Sequence, residues 1–177
     1  MKKNLILIIL FSLILLGLKG EITKSNNVTN ISKSFNEKSS WVNLGLGASS
    51  HLAAKGFNFS VANGKKYFSL RGVHNQNLSI WDNRPEKVWD FGALFGLNQR
   101  ASKGFASIAT GLAFVGGNNI KNEKTNSKTF QTIGLPLELQ LFWTPFSKIG
   151  FGIYGFGNLN SKESFAGVLI SIKIGNN

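Results

Sequence analysis

The chain has no cysteine. That excludes a disulfide scaffold, a thiolate metal site and a lipid-modified N-terminal cysteine. It has only two histidines, His51 and His74, and neither has a second ligand at metal spacing. No metal and no cofactor are therefore expected. Proline is scarce, at three residues, so long uninterrupted strands are permitted. Carboxylates are few as well: eight Asp and Glu stand against twenty Lys and Arg. The one long apolar run, LILIILFSLILL at 5–16, is 12 residues long. A transmembrane helix needs about 20.

What is present begins with that run. Lys2 and Lys3 precede it, and Gly17 and Gly20 follow. A basic start, a short apolar stretch and small residues make a cleaved secretory signal peptide over 1–20. Removing Lys2, Lys3 and Lys19 leaves 17 basic and 8 acidic residues, a net charge of +9. A basic exported protein meets anionic lipid or polysaccharide, and no nucleic-acid partner is expected. Residues 21–40, EITKSNNVTNISKSFNEKSS, are polar and aperiodic, which reads as a disordered leader.

From Trp41 onward the pattern has a period of two. In TIGLPLELQLFWTPF (132–146), Ile133, Leu135, Leu137, Leu139, Leu141 and Trp143 share one parity. Gly134, Pro136, Glu138 and Gln140 share the other. Such alternation is a strand with one greasy face. Eight segments carry it: 41–49, 56–63, 67–74, 88–97, 104–115, 130–143, 149–158 and 164–175. Their lengths suit tilted membrane strands of about 9–11 residues. The connections at 75–87 and 116–129 are long, whereas those at 64–66, 98–103 and 144–148 are short. Long loops on one rim and short turns on the other mark an all-β, eight-stranded antiparallel up-and-down transmembrane β-barrel over 41–177. Pro136 is expected at a bulge or a weakly paired position, because it donates no ladder bond.

The non-apolar parity is glycine, serine and asparagine with few charges. Of the 25 charged residues after position 20, only Arg71, Asp90, Glu138 and Lys173 fall within these segments, all on the small-residue face. A charge facing lipid at midplane costs about 2–4 kcal/mol. The apolar parity therefore faces lipid, and the four charges, two of each sign, are expected to form a lumen network. A soluble lipocalin-like carrier would invert the faces. Aromatics near segment ends, Tyr67, Trp89, Phe130, Trp143 and Phe165, are expected to form interfacial girdles, whereas Trp41 has inward parity.

These features resemble the small eight-stranded outer-membrane β-barrel proteins of Gram-negative bacteria. LGLGASS (44–50), VWDFGALFGL (88–97) and LPLELQLFWTPF…GFGIYGFGNLNSKESFAGVLISIKIG look like an uncharacterised group of exported barrels. The resemblance covers 41–175 and implies a fold and a location in the cell outer membrane, with no agreed activity. Many such barrels end in an aromatic residue; this chain ends Lys173-Ile174-Gly175-Asn176-Asn177.

An eight-strand barrel is only wide enough inside for side chains, so no open pore is expected. The leading expectation is a monomeric structural or surface-interaction barrel, not an enzyme. Its partners would be outer-membrane lipid and lipopolysaccharide phosphates, met by Arg84, Lys87, Lys121, Lys124 and Lys128 in the long loops. The alternative is a lipid A deacylase or acyltransferase drawing on Ser49, Ser50, His51, His74, Ser79 and Asp82. A nucleophile and its base must lie within hydrogen-bond reach, and no spacing here brings them together.

Overall fold

The computed structural model describes residues 38–50, 53–76, 87–119 and 128–176. The proposed signal peptide, and the leader up to residue 37, lie outside the described residues. The described chain is eight strands: β1 Lys38–Ser49, β2 Ala53–Asn63, β3 Lys66–Gln76, β4 Lys87–Arg100, β5 Gly104–Asn119, β6 Lys128–Trp143, β7 Ile149–Asn160 and β8 Phe165–Gly175. Each pairs antiparallel with its sequence neighbour, and β1 pairs with β8 to close a barrel. Closure leaves no strand edge to pair with another chain.

Most strands run past the apolar segments that announce them. β1 begins at Lys38 and β5 reaches Asn119. Backbone pairing needs no greasy side chain, so the ladder continues into polar residues at both rims. Register follows parity throughout. Val42, Phe59, Leu70 and Ala93 lie side by side across β1 to β4 on the outer face. The outer wall is a belt of exposed large apolar residues that includes Leu46, Phe95, Leu112, Ile133 and Ile170, the last 80% exposed.

Two local features follow from single residues. The β2–β3 connection is Gly64-Lys65, with Gly64 at φ 62°. Only glycine takes that left-handed backbone at no steric cost, which allows the two-residue hairpin. Between β5 and β6 the ladder is broken where Gly111 and Leu112 face Pro136 and Leu135. Register is unchanged on either side, so Pro136 marks a gap and not a bulge. The Thr110 hydroxyl donates to the Pro136 carbonyl at 2.9 Å across it.

The girdle requires a correction. Trp143 and Trp89 are exposed on the outer wall, at opposite rims. Tyr67 and Phe165 are buried inside the barrel, and Phe130 is half-buried against an inner cluster. Parity decides the face even at a strand end. Tyr67 shares parity with Ser69 and Arg71, and Phe165 with Leu169.

Candidate functional site

The inward parity builds a filled lumen in three storeys. At the long-loop rim, Ala54, Val73, Val88, Ala113, Val115, Tyr154, Phe156, Phe165 and Leu169 form an apolar cluster. At the short-turn rim, Trp41, Ala62, Tyr67, Leu94, Phe105, Ala109 and Phe142 form another. Trp41 packs within it edge-to-face against Phe105, ring centroids 4.9 Å apart, and at a tilt against Tyr67 at 5.6 Å. Between the two lies a belt of buried polar side chains that includes Asn43, Asn58, Arg71, Asp90, Glu138, Gln140 and Asn158.

The belt is stitched across the barrel. Arg71 of β3 pairs with Asp90 of β4 at 2.5 Å, both side chains fully buried. Its other nitrogen contacts cross the lumen. Nη1 donates to the Leu137 carbonyl at 2.8 Å and Nη2 to the Gly157 carbonyl at 3.2 Å. The Asn158 amide donates to Asp90 Oδ2 at 3.1 Å. Glu138 of β6 collects four donors. Oε1 accepts from the Tyr67 hydroxyl at 2.9 Å and the Gln140 amide at 2.6 Å. Oε2 accepts from the Asn58 amide at 2.9 Å and the Tyr154 hydroxyl at 2.5 Å. A buried carboxylate is tolerable when its lone pairs are occupied in this way.

The contacts therefore divide the four lumen charges. Arg71 and Asp90 pair with each other, and Glu138 is held by neutral donors. Lys173 lies over the rings of Phe105, at 4.3 Å, and Trp41, at 5.0 Å. A cation over the face of an aromatic ring is attracted by the ring quadrupole. Gln140 bridges storeys: its Oε1 accepts from Trp41 Nε1 at 3.2 Å and from the Asn43 amide at 2.8 Å. The residues that sequence reasoning missed here are the neutral ones. Tyr67, Tyr154, Asn58 and Asn158 carry most of the hydrogen bonding. Their inward parity was the available signal.

The long-loop rim carries a second constellation, on the outer face. Lys55 pairs with His74 across β2–β3, and His74 with Trp89 across β3–β4. Lys55 and Lys87 are both close enough to act on His74 electrostatically. A recess of about 640 Å³ beside them is lined by His74, Lys87, Trp89, Asn118, Thr129 and Gln131 among others. Of the basic loop residues anticipated, Lys87 is exposed at the start of β4 and Lys128 begins β6. Arg84, Lys121 and Lys124 lie outside the described residues, as do His51, Ser79 and Asp82. Among the described residues, His74 is flanked by Lys55, Lys87 and Trp89.

No protein-family model and no curated protein matches the sequence. Solved structures do match the fold. The N-terminal β-barrel domain of Pseudomonas aeruginosa OprF superposes with a TM-score of 0.58 at 9% identity, over 77% of this chain and 96% of that one. Neisserial surface protein A superposes with a TM-score of 0.56 at 10% identity, over 77% and 94%. Ail, the attachment invasion locus protein of Yersinia pestis, crystallised with the heparin analogue sucrose octasulfate, gives 0.56 at 8% identity, over 78% and 99%. The fold is that of the small eight-stranded outer-membrane β-barrels.

Proposed function

We propose that the protein is an outer-membrane barrel without an open pore, whose long-loop rim is a contact surface for anionic envelope components. Lipopolysaccharide phosphates are the first partner to consider. The observation that carries the membrane reading is the outer wall, apolar around its circumference, set against a lumen closed by apolar clusters at both ends. Short turns on one rim support a periplasmic position for that rim, and the long loops a position at the cell surface.

The contact role rests on chemistry at the long-loop rim. Lys55, His74 and Lys87 have outward parity there, beside Trp89, a residue type that favours the headgroup level. Arg84, Lys121, Lys124 and Lys128 belong to the same rim by sequence. Ail, of similar fold, was crystallised with a sulfated polyanion. The role is binding and not catalysis.

The test is binding of purified lipopolysaccharide to the refolded barrel in neutral detergent. The parent should bind with an affinity that falls as salt rises. Replacing Lys55, Lys87, Lys121 and Lys124 by Gln should weaken binding by about 1–3 kcal/mol in all, since exposed ion pairs contribute about 0.2–1 kcal/mol each. Salt-independent binding, or binding untouched by the fourfold change, contradicts the role.

A further inference from the structure

The opposite rim carries a charge asymmetry of its own. Lys38, Lys65, Lys66, Lys103 and Lys148 are all exposed there. Lys38 opens β1, Lys65 and Lys66 follow Gly64, Lys103 lies in the β4–β5 turn and Lys148 in the β6–β7 turn. The described carboxylates lie elsewhere. Asp90 and Glu138 are buried in the lumen, and Glu163 lies in the β7–β8 connection at the other rim.

The positions of these lysines are fixed by the fold. The Lys65 carbonyl accepts from Asn98 N at 2.8 Å, the Lys103 carbonyl from Thr144 N at 3.0 Å and the Lys148 carbonyl from Gly175 N at 2.9 Å. Each turn is thereby laced to the next part of the rim. Lys38 and Lys66 have outward parity: both lie beside Asn63, and Lys66 beside exposed Leu97. Trp143, Phe146 and Ile149, which flank Lys148 in sequence, are exposed apolar residues. A cationic ring therefore directly borders the end of the greasy wall.

We infer that this ring binds the phosphates of anionic phospholipids in the leaflet on the short-turn side. Reach decides the partner. Turns of two, three and five residues end at the headgroup layer, so the ammonium groups meet phosphate there and not a polymer standing farther off. Lysine suits this place because its stem covers apolar surface while its head stays among headgroups. Basic residues beside an anionic membrane surface act within a Debye length and add along a cluster.

The inference rests on the barrel spanning a bilayer, which a heat-shifted gel band checks independently. The refolded chain is reconstituted in phosphatidylcholine bilayers, with spin-labelled phosphatidylglycerol or phosphatidylcholine as probe. The parent should prefer phosphatidylglycerol by about fivefold or more, the factor for roughly one lysine at an anionic surface. Lys38→Gln/Lys66→Gln/Lys103→Gln/Lys148→Gln should keep the heat-shifted band and lose most of that preference, as should the parent in high salt. Lys55→Gln/Lys87→Gln, at the other rim, should keep more than half of it. The inference is overturned if the fourfold variant keeps the parent's preference, or if the loss follows the long-loop variant. It is also overturned if the fourfold variant loses only co-sedimentation with purified peptidoglycan. A parent without a heat-shifted band removes the barrel reading first.

Discussion

Glu138 is the residue on which the lumen depends most. It accepts from Tyr67, Gln140, Asn58 and Tyr154, side chains of β2, β3, β6 and β7. Deleting it removes an acceptor from four buried donors. Glu138→Ala should destabilise the barrel by at least about 3 kcal/mol in urea unfolding, since bonds to a charged group contribute about 1.5–3 kcal/mol each. The Arg71–Asp90 pair behaves differently. Removing Arg71 alone strands a buried carboxylate and should cost about 3–5 kcal/mol. Arg71→Met with Asp90→Leu together should cost clearly less than the sum of the singles. An additive double mutant would mean that the two side chains do not act as a pair.

At the scale of the strand, two leucines separate the faces. Leu112 is 69% exposed near the middle of β5, and Leu94 is 1% exposed on β4. Leu112→Arg should cost about 2–4 kcal/mol in a bilayer, the depth-dependent penalty of a lipid-facing charge. Leu112→Ala should be mild, whereas Leu94→Ala should cost about 2–5 kcal/mol through the cavity it opens. Unfolding in lipid vesicles reads all three. Leu112 was legible in the sequence because apolar parity alone marks the lipid face. Leu94 was not, because it sits among Asp90, Gly92 and Gly96, whose smallness suggests an inner face without packing. The same holds for Phe142, Phe156 and Leu169. Parity assigns a residue to a face, but strand stagger decides which inward residues share a level. That is why the apolar end storeys, and the division of the four lumen charges, emerged only from three-dimensional register. Tyr67 and Phe165 show the converse: nearness to a strand end suggested the interface, and parity put both inside.

At the scale of the molecule, closure of eight strands makes the wall and the lumen separate environments. The strand count, the antiparallel order and the long and short rims follow from where alternation starts and stops. The chemistry of the rims does not, because its charges lie at strand ends where apolar periodicity has faded. A lumen filled at both ends should pass no ions, so planar bilayers holding the refolded chain should show no stepwise conductance; discrete steps would mean that the storeys open. The central claim is that lipid touches the apolar parity and not the other. Because the chain has no cysteine, single cysteines can be placed along Ser107, Ile108, Ala109, Leu112, Ala113 and Phe114 of β5 and labelled with bimane. In bilayers of brominated phosphatidylcholine, labels at Ile108, Leu112 and Phe114 should be strongly quenched and those at Ser107, Ala109 and Ala113 spared. Quenching on the second set, or equal quenching on both, would contradict the account.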